Sequence, residues 1–596
     1  MCVNVLRHPA WGRAQETYGE DPFHVGELGA AFTRGLQQHV MACVKHFACN
    51  SMENARFQVD IEVDEVALHE VFLPHFKRIV DEGVASVMSA YNSVNGEWCG
   101  ESPALLRDVL RDEWGFEGFV ISDWIFGLRD AAASLTGGLD VEMPYRMVRY
   151  ENLPSALAQG EASWADVDEA VEHVVNTLLR FDPTLSQVPP RSIIGHADHR
   201  TLAREVAARS VVLLRNETVG GAPALPLDTT ADVAVIGALA DQINLGDGGS
   251  SDVWDLDCRT VLEGVTAVAR STMYDDGSDL ERAATLAADA DVAVVVVGYT
   301  YEHEGEYIGK VDPSLLEMFP DVDEPQVVEA FEARNSDLPH TEKPAYRQSR
   351  ERGFSRGGDR ESLRLLPDDV ALIRAVAAAN PRTVVVIQAG SAVVCSEWTD
   401  EVAAVAQAWY AGCEAGSGLA DVLFGEVNPS ARLPFSVPHD EAHLPEFDRD
   451  ATSFRYDRWH GWWHLARNGT APDFPFGFGL SYTTFEIANG AASASPDAVI
   501  VTGRVRNTGA RSGADVVQVY AELPDVDAPA RLVGFARVEV DAGDEAEFEV
   551  AVPWDRLGTR DPVGRRWISP RGEHRFVVAR FVGDPSARAF SVSPTD

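Results

Sequence analysis

The stretch Phe119-Val120-Ile121-Ser122-Asp123-Trp124 places a carboxylate beside an indole at the end of a short apolar run. A run rich in β-branched residues is typical of a buried strand. An acid that follows such a strand leaves the hydrophobic sheet at its carboxyl end, where it faces a cleft. We therefore expect the chemistry of this chain to involve Asp123.

Two other predicted strands also end in residues that could bind or react. The run 41–47 contains Lys45 and His46, and the run 85–91 ends in Tyr91. Taken singly, a Lys-His pair is commonly a surface cation pair, and Tyr or Trp is commonly part of a core. If the three strands are parallel neighbours in one barrel, however, their carboxyl ends share one mouth. The coincidence favours a polar pocket with an aromatic wall.

A pocket of cations, an acid and an indole suits a sugar, because hydroxyls need charged donors and acceptors while the sugar ring stacks on the indole. Hydrolysis of a glycoside then needs a second carboxyl group, which stands about 5–5.5 Å from the first in retaining enzymes. The segment 301–307 is the best source, since it carries Glu302, Glu304 and Glu306 just after an apolar run. Three acids in five residues are usually a solvated charge run, and their spacing gives any one of them only a slight preference.

The helices and strands that must position these residues show two sequence patterns. From residue 25 to about 180, helical patterns alternate with short apolar runs, which indicates a parallel sheet or barrel. One helix is predicted to begin near Asp64, and another between a Ser102 cap and a Gly115 stop. The continuous apolar runs at 233–236, 292–297 and 384–387 predict a second α/β unit with a parallel sheet buried on both faces.

Two later regions depart from this pattern. The segment from about 307 to 360 is rich in charge and proline, and a loop of this length is usually functional or disordered. From about 498, alternating strands separated by turns such as Asn507-Thr508-Gly509 predict a small β-sandwich.

Many ordered motifs make the chain closely resemble glycoside hydrolase family 3. They are Asn4-Val5-Leu6-Arg7-His8-Pro9-Ala10-Trp11-Gly12-Arg13, Glu16-Thr17-Tyr18-Gly19-Glu20-Asp21-Pro22, Lys45-His46-Phe47, Asn50-x-x-Glu53-x-x-Arg56, Ser89-Ala90-Tyr91-Asn92, Ser122-Asp123-Trp124, Ser210-Val211-Val212-Leu213-Leu214-Arg215-Asn216-Glu217, Gly358-Asp359-Arg360, the run Ala420 to Pro429 and Phe476-Gly477-Phe478-Gly479-Leu480-Ser481-Tyr482. The likeness covers nearly the whole chain.

The resemblance implies a retaining exo-β-glycosidase that releases terminal glucose or xylose, without a metal or organic cofactor. By resemblance, Asp123 matches the nucleophile and Glu304 matches the acid/base, with Glu302 and Glu306 as rivals because the segment up to Gly358 interrupts the motif. The matching sugar-binding positions are Arg13, Lys45, His46, Arg56, Tyr91 and Trp124.

The sequence patterns and the resemblance together predict the domain organisation. We expect a TIM-like barrel over 1–182, a linker over 183–204, an α/β sandwich domain over 205–437, a connecting segment over 438–497 and a fibronectin-III-like domain over 498–596. Family members carry about a hundred or more residues before the motif that ends in Gly12-Arg13, including barrel strands and a sugar-binding Asp. We therefore expect the barrel to be N-terminally incomplete, and we favour a misplaced start over a true truncation.

Two other functions compete with this one. A truncated, non-catalytic sugar-binding paralogue is the alternative, because the chain as written lacks a barrel segment. A β-N-acetylglucosaminidase is disfavoured, because Lys45-His46-Phe47 continues into Ala48-Cys49-Asn50 rather than the Pro-Gly-His-Gly of that branch.

Composition limits the setting and the partners. The 93 acidic residues against 50 basic ones give a net charge of −43, and only four of the bases are lysines. Such a surface repels polyanions, so nucleic acid is not an expected partner. Concentrated salt screens this self-repulsion, which favours a halophilic host over an acidic mesophilic one.

Apolar segments and cysteine spacing indicate where the protein functions. No apolar run approaches the ~18 residues that a membrane span needs. The seven cysteines lack C-x-x-C spacing and predict reduced thiols rather than disulfides or zinc ligands. We expect a cytoplasmic protein whose partner is a carbohydrate substrate, and a homodimer is left open.

Overall fold

The structure is a computed structural model that describes residues 1–246, 249–251, 253, 257–308, 357–524, 530–569 and 571–594. These residues form three domains in chain order. The predicted segment 307–360 lies outside the described residues except at its two ends.

A parallel sheet forms the centre of the first domain. The strand Cys43–Phe47 pairs with Ser86–Ser89, which pairs in turn with Phe119–Ile121. Cys2 extends this sheet through a parallel bridge to Lys45, and Val141 extends it on the other side through Ile121. Because every pairing is parallel, the carboxyl ends of these segments lie at one edge. That edge carries the predicted site. The absence of further barrel strands ahead of Met1 stays a prediction.

Helices cover this sheet: Pro22–Leu36, Glu65–Ala67, Leu68–Phe72, Pro74–Val80, Ala104–Glu113, Ala131–Gly137, Val148–Gln159 and Trp164–Leu185. The helix predicted near Asp64 is divided into three pieces, the second of them π-helical. Pro74 accounts for the last division, because proline has no N–H to donate within a helix. The Asp64 carboxylate caps the first piece by accepting the Ala67 N–H at 2.8 Å.

The second domain is built on a six-stranded sheet. Its strands lie in the order Ser271–Asp275, Asp232–Ile236, Val292–Gly298, Thr383–Gln388, Ala404–Gln407 and Val212–Asn216, and only the last pairing is antiparallel. The strand Val292–Gly298 is buried throughout, and successive side chains enter two different cores on the two faces of the sheet. The covering helices are Ala197–Ser210, Val261–Thr266, Leu280–Ala288, Pro367–Ala379 and Ala415–Leu423.

The third domain is an antiparallel β-sandwich. One sheet contains Phe485–Ala494, Ala498–Asn507 and Glu545–Pro553, and the other contains Arg531–Val540, Gly513–Glu522, His574–Ala579 and Arg588–Val592. The first strand begins thirteen residues before the predicted boundary at 498. Its small residues do not form a strong alternating pattern, so pairing with the next strand, rather than its own sequence, defines it.

The segment between the second and third domains returns to the first. Its strand Ser453–Tyr456 pairs in parallel with Asp60–Val63, and the small sheet continues through Ser93–Val94 to Glu97–Trp98. The helix Gly461–Arg467 follows. The part of the predicted connector from Ser453 to Arg467 therefore packs on the barrel domain, whereas Phe485–Ala494 belongs to the sandwich. Among the described residues, no helix is both long and apolar enough to cross a bilayer.

Candidate active site

Asp123 lies two residues beyond the strand Phe119–Ile121, at the carboxyl edge of the barrel sheet, and its side chain is buried. One carboxylate oxygen, Oδ1, accepts the N–H of Trp124 at 2.8 Å. The other, Oδ2, accepts no hydrogen bond from the described residues and lies 3.5 Å from His46 Nε2. Burial raises the pKa of Asp123, and the positive charges of Arg56, Lys45 and Arg13 oppose that rise. Oδ2 of Asp123 thus has no hydrogen-bond donor among the described residues, while the Tyr91 hydroxyl is a further close neighbour of this carboxylate.

Three cations of the barrel surround this acid. Arg13 Nη1 lies 3.3 Å from His46 Nε2. Glu16 fixes Arg13 through two contacts, Nε to Oε1 at 2.5 Å and Nη2 to Oε2 at 2.9 Å, and it also lies 3.8 Å from Lys45 Nζ. Glu16 is a residue to which the sequence reasoning gave no role. Its i+3 spacing from Arg13 is the signal that could have found it.

Arg56 and Tyr91 form the aromatic side of the pocket. The Arg56 guanidinium lies over the Tyr91 ring at 5.0 Å and contacts Glu53 Oε1 at 2.7 Å. The Tyr91 hydroxyl donates to the carbonyl of Trp124 at 2.8 Å. That bond holds the backbone beside Asp123, while the indole of Trp124 is 44% exposed. An exposed indole at a pocket rim presents a face on which a sugar ring can stack.

Glu306 reaches this cluster from the second domain. Its Oε1 lies 3.1 Å from Arg56 Nη1 and 3.6 Å from Arg13 Nη1, and its Oε2 accepts the N–H of Ser250 at 2.5 Å. Burial alone would raise the pKa of Glu306, but the two arginines outweigh it and hold the pKa well below its usual value. Glu306 and Asp123 therefore share Arg13 and Arg56 as neighbours.

Glu304 lies elsewhere, inside the second domain. Its Oε1 accepts the Gly390 N–H at 2.7 Å and the Tyr410 hydroxyl at 2.6 Å, and its Oε2 lies 3.2 Å from Arg360 Nε. The side chain is 1% exposed. None of these partners belongs to the cluster around Asp123. Glu302, the other rival, is exposed.

Asp359 joins the two domains beneath the site. Its carboxylate accepts the backbone N–H groups of Gly12, Glu53 and Asn54 at 2.9, 2.8 and 2.9 Å. Burial raises its pKa to about 6, against the effect of these hydrogen bonds. Glu53 and Asn54 lie only a few residues before Arg56. Asp359, which belongs to the second domain, therefore fixes the backbone of the first domain that carries the Arg56 guanidinium. The sequence showed this motif but not its role.

The two ends of the segment 309–356 also meet here. Gly305 and Gly358 form an antiparallel bridge, with the Gly358 N–H donating to the Gly305 carbonyl at 2.9 Å. Ile308 packs against the aromatic cluster of Phe57, Tyr91 and Phe126.

The structure thus brings together Arg13, Lys45, His46, Arg56, Tyr91, Asp123 and Trp124, and it adds Glu16, Glu53 and Glu306. Carboxylates from both domains, several hydrogen-bond donors and an exposed indole in one cluster can bind a polyol and act at an acetal carbon. Within the described part of the chain, no group of three His, Cys, Asp or Glu side chains is placed to hold a metal ion.

Family models match all three domains. The model described as "Glycosyl hydrolase family 3 N terminal domain" matches residues 2–177, and the corresponding C-terminal domain model matches residues 211–482. A "Fibronectin type III-like domain" model matches residues 515–581. The C-terminal domain model extends through the segment that packs on the barrel, and the fibronectin-like model covers the sandwich from its third strand onward.

Known proteins resemble the chain over almost its whole length. "Thermostable beta-glucosidase B" of Acetivibrio thermocellus is 33% identical over 97% of this chain and 72% of its own. "Exo-alpha-(1->6)-L-arabinopyranosidase" of Bifidobacterium longum is 31% identical over 91% of this chain and 68% of its own. The crystal structure of a Bifidobacterium adolescentis GH3 beta-glucosidase superposes with a TM-score of 0.84 at 28% identity, covering 100% of this chain and 84% of that one.

Proposed function

The chain belongs to glycoside hydrolase family 3, and from that premise we propose that it is a retaining exo-β-glycosidase acting on terminal β-linked glucose or xylose. The observation that carries the proposal is a pair of carboxylates from different domains beside the same two arginines. Glu306 contacts Arg13 and Arg56, and the positive charges of both arginines act on the buried Asp123. In this proposal a glycosyl-enzyme ester forms on one carboxylate and water then hydrolyses it.

Asp123 is the proposed nucleophile. A nucleophilic carboxylate must be ionised, and Arg56, Lys45 and Arg13 favour its charged form inside a buried site. It also needs a free lone pair that faces the anomeric carbon, and Oδ2 accepts no hydrogen bond from the described residues. Attack by Oδ2 forms the ester bond as the glycosidic bond breaks.

Glu306 is the proposed acid/base, in preference to the Glu304 of the sequence prediction. The acid must protonate the departing oxygen close to the nucleophile, and only Glu306 of the two contacts the cations around Asp123. Glu304 is already committed to Arg360, Gly390 and Tyr410.

The low pKa of Glu306 in the free site has a consequence for this role. Arg13 and Arg56 hold Glu306 ionised, so it cannot donate a proton until they release it. Sugar hydroxyls that accept hydrogen bonds from these arginines would weaken their hold and raise the pKa of Glu306. Binding of the correct sugar would thereby prepare the acid, which couples recognition to reaction.

The remaining residues are proposed to bind the terminal sugar. Arg13, Lys45 and Arg56 donate to hydroxyl oxygens, His46 supplies a ring nitrogen, and Tyr91 orders the loop behind Trp124. This set of donors around one carboxylate matches a single sugar residue, which fits release from chain ends.

The stereochemistry and the nucleophile can be tested together. The purified chain is incubated with p-nitrophenyl β-glucoside and β-xyloside, and proton NMR follows the anomer first released. We expect the β-anomer and a loss of kcat on the order of 10⁴-fold or more in Asp123→Ala. First release of the α-anomer would overturn retention, and full turnover in Asp123→Ala would overturn the role of that residue.

The acid/base assignment can be tested with Glu306→Ala and the matched Glu304→Ala. General acid–base catalysis contributes about 10²–10⁴-fold, so we expect Glu306→Ala to lose that much with natural leaving groups. Azide should rescue Glu306→Ala, with formation of a β-glycosyl azide. Glu304→Ala should lower thermal stability without rescue, and azide rescue of Glu304→Ala alone would return the role to Glu304.

A further inference from the structure

Asn4 makes an unusual set of contacts with His46 next to the proposed nucleophile. Its Nδ2 donates to the His46 carbonyl at 2.8 Å, and its Oδ1 accepts the His46 N–H at 2.9 Å. The same Oδ1 lies 3.3 Å from the ring nitrogen Nδ1 of His46. Asn4 is 1% exposed and His46 is likewise buried, so these contacts are shielded from solvent.

The two backbone contacts fix which way the Asn4 amide faces. A flipped amide would set its NH₂ group against the His46 N–H and its oxygen against the His46 carbonyl, and both contacts would be repulsive. The oxygen must therefore face the ring nitrogen. Because an amide oxygen only accepts, a hydrogen bond to Nδ1 requires a proton on Nδ1.

The other ring nitrogen gives the same answer independently. His46 Nε2 lies 3.3 Å from Arg13 Nη1, and a guanidinium can only donate. Nε2 of the neutral ring must then be the acceptor. The contacts at both ends of the imidazole select one tautomer, with the proton on Nδ1.

We propose that Asn4 is a positioning residue that locks His46 as the Nδ1–H tautomer, so that Nε2 cannot donate to Asp123 and leaves Oδ2 uncommitted for attack. This inference rests on the proposed function, since it assigns a consequence to Asp123 as nucleophile. His46 Nε2 lies 3.5 Å from Asp123 Oδ2, so a proton on Nε2 would form a hydrogen bond to that oxygen. A donated hydrogen bond there would stabilise the carboxylate and lower its nucleophilicity.

The charges around His46 favour the neutral ring that this lock requires. Burial first, and then the positive charges of Arg13, Lys45 and Arg56, hold the pKa of His46 well below its usual value. Asp123 is the anionic group on the ring's Nε2 side, and the thiol of Cys2 lies 3.9 Å from Nδ1. Cations outnumber anions around the ring, so the neutral form persists at neutral pH.

The first experiment reads the tautomer directly. The full chain is labelled with ¹⁵N-histidine, and two-bond ¹⁵N–¹H correlations are recorded between pH 5.5 and 8.5, with His46 identified by its absence in His46→Gln. We expect Nδ1 protonated and Nε2 unprotonated throughout. A proton on Nε2, or an imidazolium at pH 7, would overturn the proposal even if no variant were stable.

The second experiment replaces Asn4, whose amide selects the tautomer of His46. Asn4→Asp keeps an oxygen opposite Nδ1 and adds a negative charge, which favours the imidazolium and a donated bond from Nε2 to Asp123. It also removes the Nδ2 donor to the His46 carbonyl, so a loss of activity that is equal at every pH would show a structural role only. We expect kcat/KM for an aryl β-glucoside to fall about 10- to 100-fold at pH 6, as with other partners that orient a histidine, and to recover as pH rises and the ring loses its proton.

Ser51→Ala is the matched control, because Ser51 Oγ donates to the Val5 carbonyl at 2.7 Å and joins the same two chain segments without touching the ring. It should lower stability and leave the pH profile unchanged. If Asn4→Asp behaves in the same way, the role of Asn4 is structural only. If the unaltered chain hydrolyses no aryl glycoside, the proposed function fails, while the NMR result still decides the tautomer.

Discussion

Asp123 is a buried acid whose charge depends on three neighbouring cations. Because burial raises its pKa, the group needs a higher pH than the 3.8 of an ordinary aspartate to ionise. We expect kcat/KM to be lost as pH falls through that raised value. Arg56→Gln removes the positive charge that most strongly opposes this rise. The loss of kcat/KM on the acidic side of the pH profile should therefore move to still higher pH, by about one unit or more.

The pH dependence of kcat/KM, which reports groups of the free enzyme, provides the measurement. Arg191→Gln, at an exposed arginine, is the control and should leave the limb in place. An unshifted acidic limb in Arg56→Gln would mean that another group controls it.

Glu20 is a buried acid outside the active site. It accepts the Trp462 N–H at 3.0 Å and the Ser436 hydroxyl at 3.1 Å, and burial raises its pKa to about 8. Between pH 4.5 and 8 the folded chain therefore keeps a proton that the unfolded chain releases, so the free energy of unfolding falls as pH rises. The loss is on the order of a few kcal/mol at most.

Glu20→Gln stays neutral at every pH and should escape this loss. We expect its melting temperature, relative to the unaltered chain, to be higher at pH 8.5 than at pH 5. Glu117→Gln, at an exposed position, should show a constant difference. Parallel melting curves for Glu20→Gln would contradict the buried neutral acid.

The sequence was informative for single residues where a strand end fixes their direction. Asp123 and Tyr91 follow two of the strands, and the Lys45-His46 pair lies in the carboxyl-terminal half of a third. The carboxyl ends of these three strands meet. The choice between Glu304 and Glu306 was not accessible, because both lie on a loop whose direction depends on contacts with another domain. Partners such as Asn4 were also missed, since an amide opposite a histidine has no spacing signature across 42 residues.

At the scale of elements, Gly12 lies where two chain segments of the second domain cross the first. A Cβ added there would lie 2.4 Å from the Gly358 carbonyl oxygen and 2.5 Å from that of Gly305. Gly12→Ala must therefore push the loop that carries Glu306 away from Arg13. A shift near 1 Å in a catalytic site can cost about 10²-fold, and we expect a loss of kcat of that order.

Gly35→Ala is the matched control, because no atom lies within 4 Å of its added Cβ and it sits in the helix Pro22–Leu36. It should keep full activity and gain up to about 1 kcal/mol of stability. Kinetics of the two variants side by side test the interface, and an active Gly12→Ala would show that the loop can adjust.

Most elements could be predicted from periodicity, because buried strands and capped helices have strong local patterns. The confirmed strands at 232–236, 292–298 and 383–388 are examples. The strand Ser453–Tyr456 could not be predicted, since its pairing with Asp60–Val63 joins segments almost four hundred residues apart. Long-range pairing of this kind leaves no local signal.

For the whole molecule, the net charge of −43 is the dominant electrostatic feature. Salt shortens the Debye length from about 10 Å at 0.1 M to about 3 Å at 1 M. We expect the melting temperature to rise by several degrees over that range of sodium chloride, because like charges then repel less. Differential scanning calorimetry checks this expectation.

A variant with fewer negative charges distinguishes the screening of charge repulsion from other effects of salt on the melting temperature. Neutralising four exposed acids should reduce the salt dependence while the fold is kept: Glu117→Gln, Glu161→Gln, Asp168→Asn and Glu549→Gln. A melting temperature that stays flat or falls with salt would argue against a halophilic setting.

The bridge between Gly305 and Gly358 has a consequence for how this enzyme could diversify. Because both ends of the intervening stretch are tied at one point, changing its length costs only about 0.6 kcal/mol per doubling. Glu306 and Asp359 stay anchored by their own partners whatever lies between. At this junction a segment of different length could therefore be accepted while Glu306 and Asp359 keep the partners that hold them.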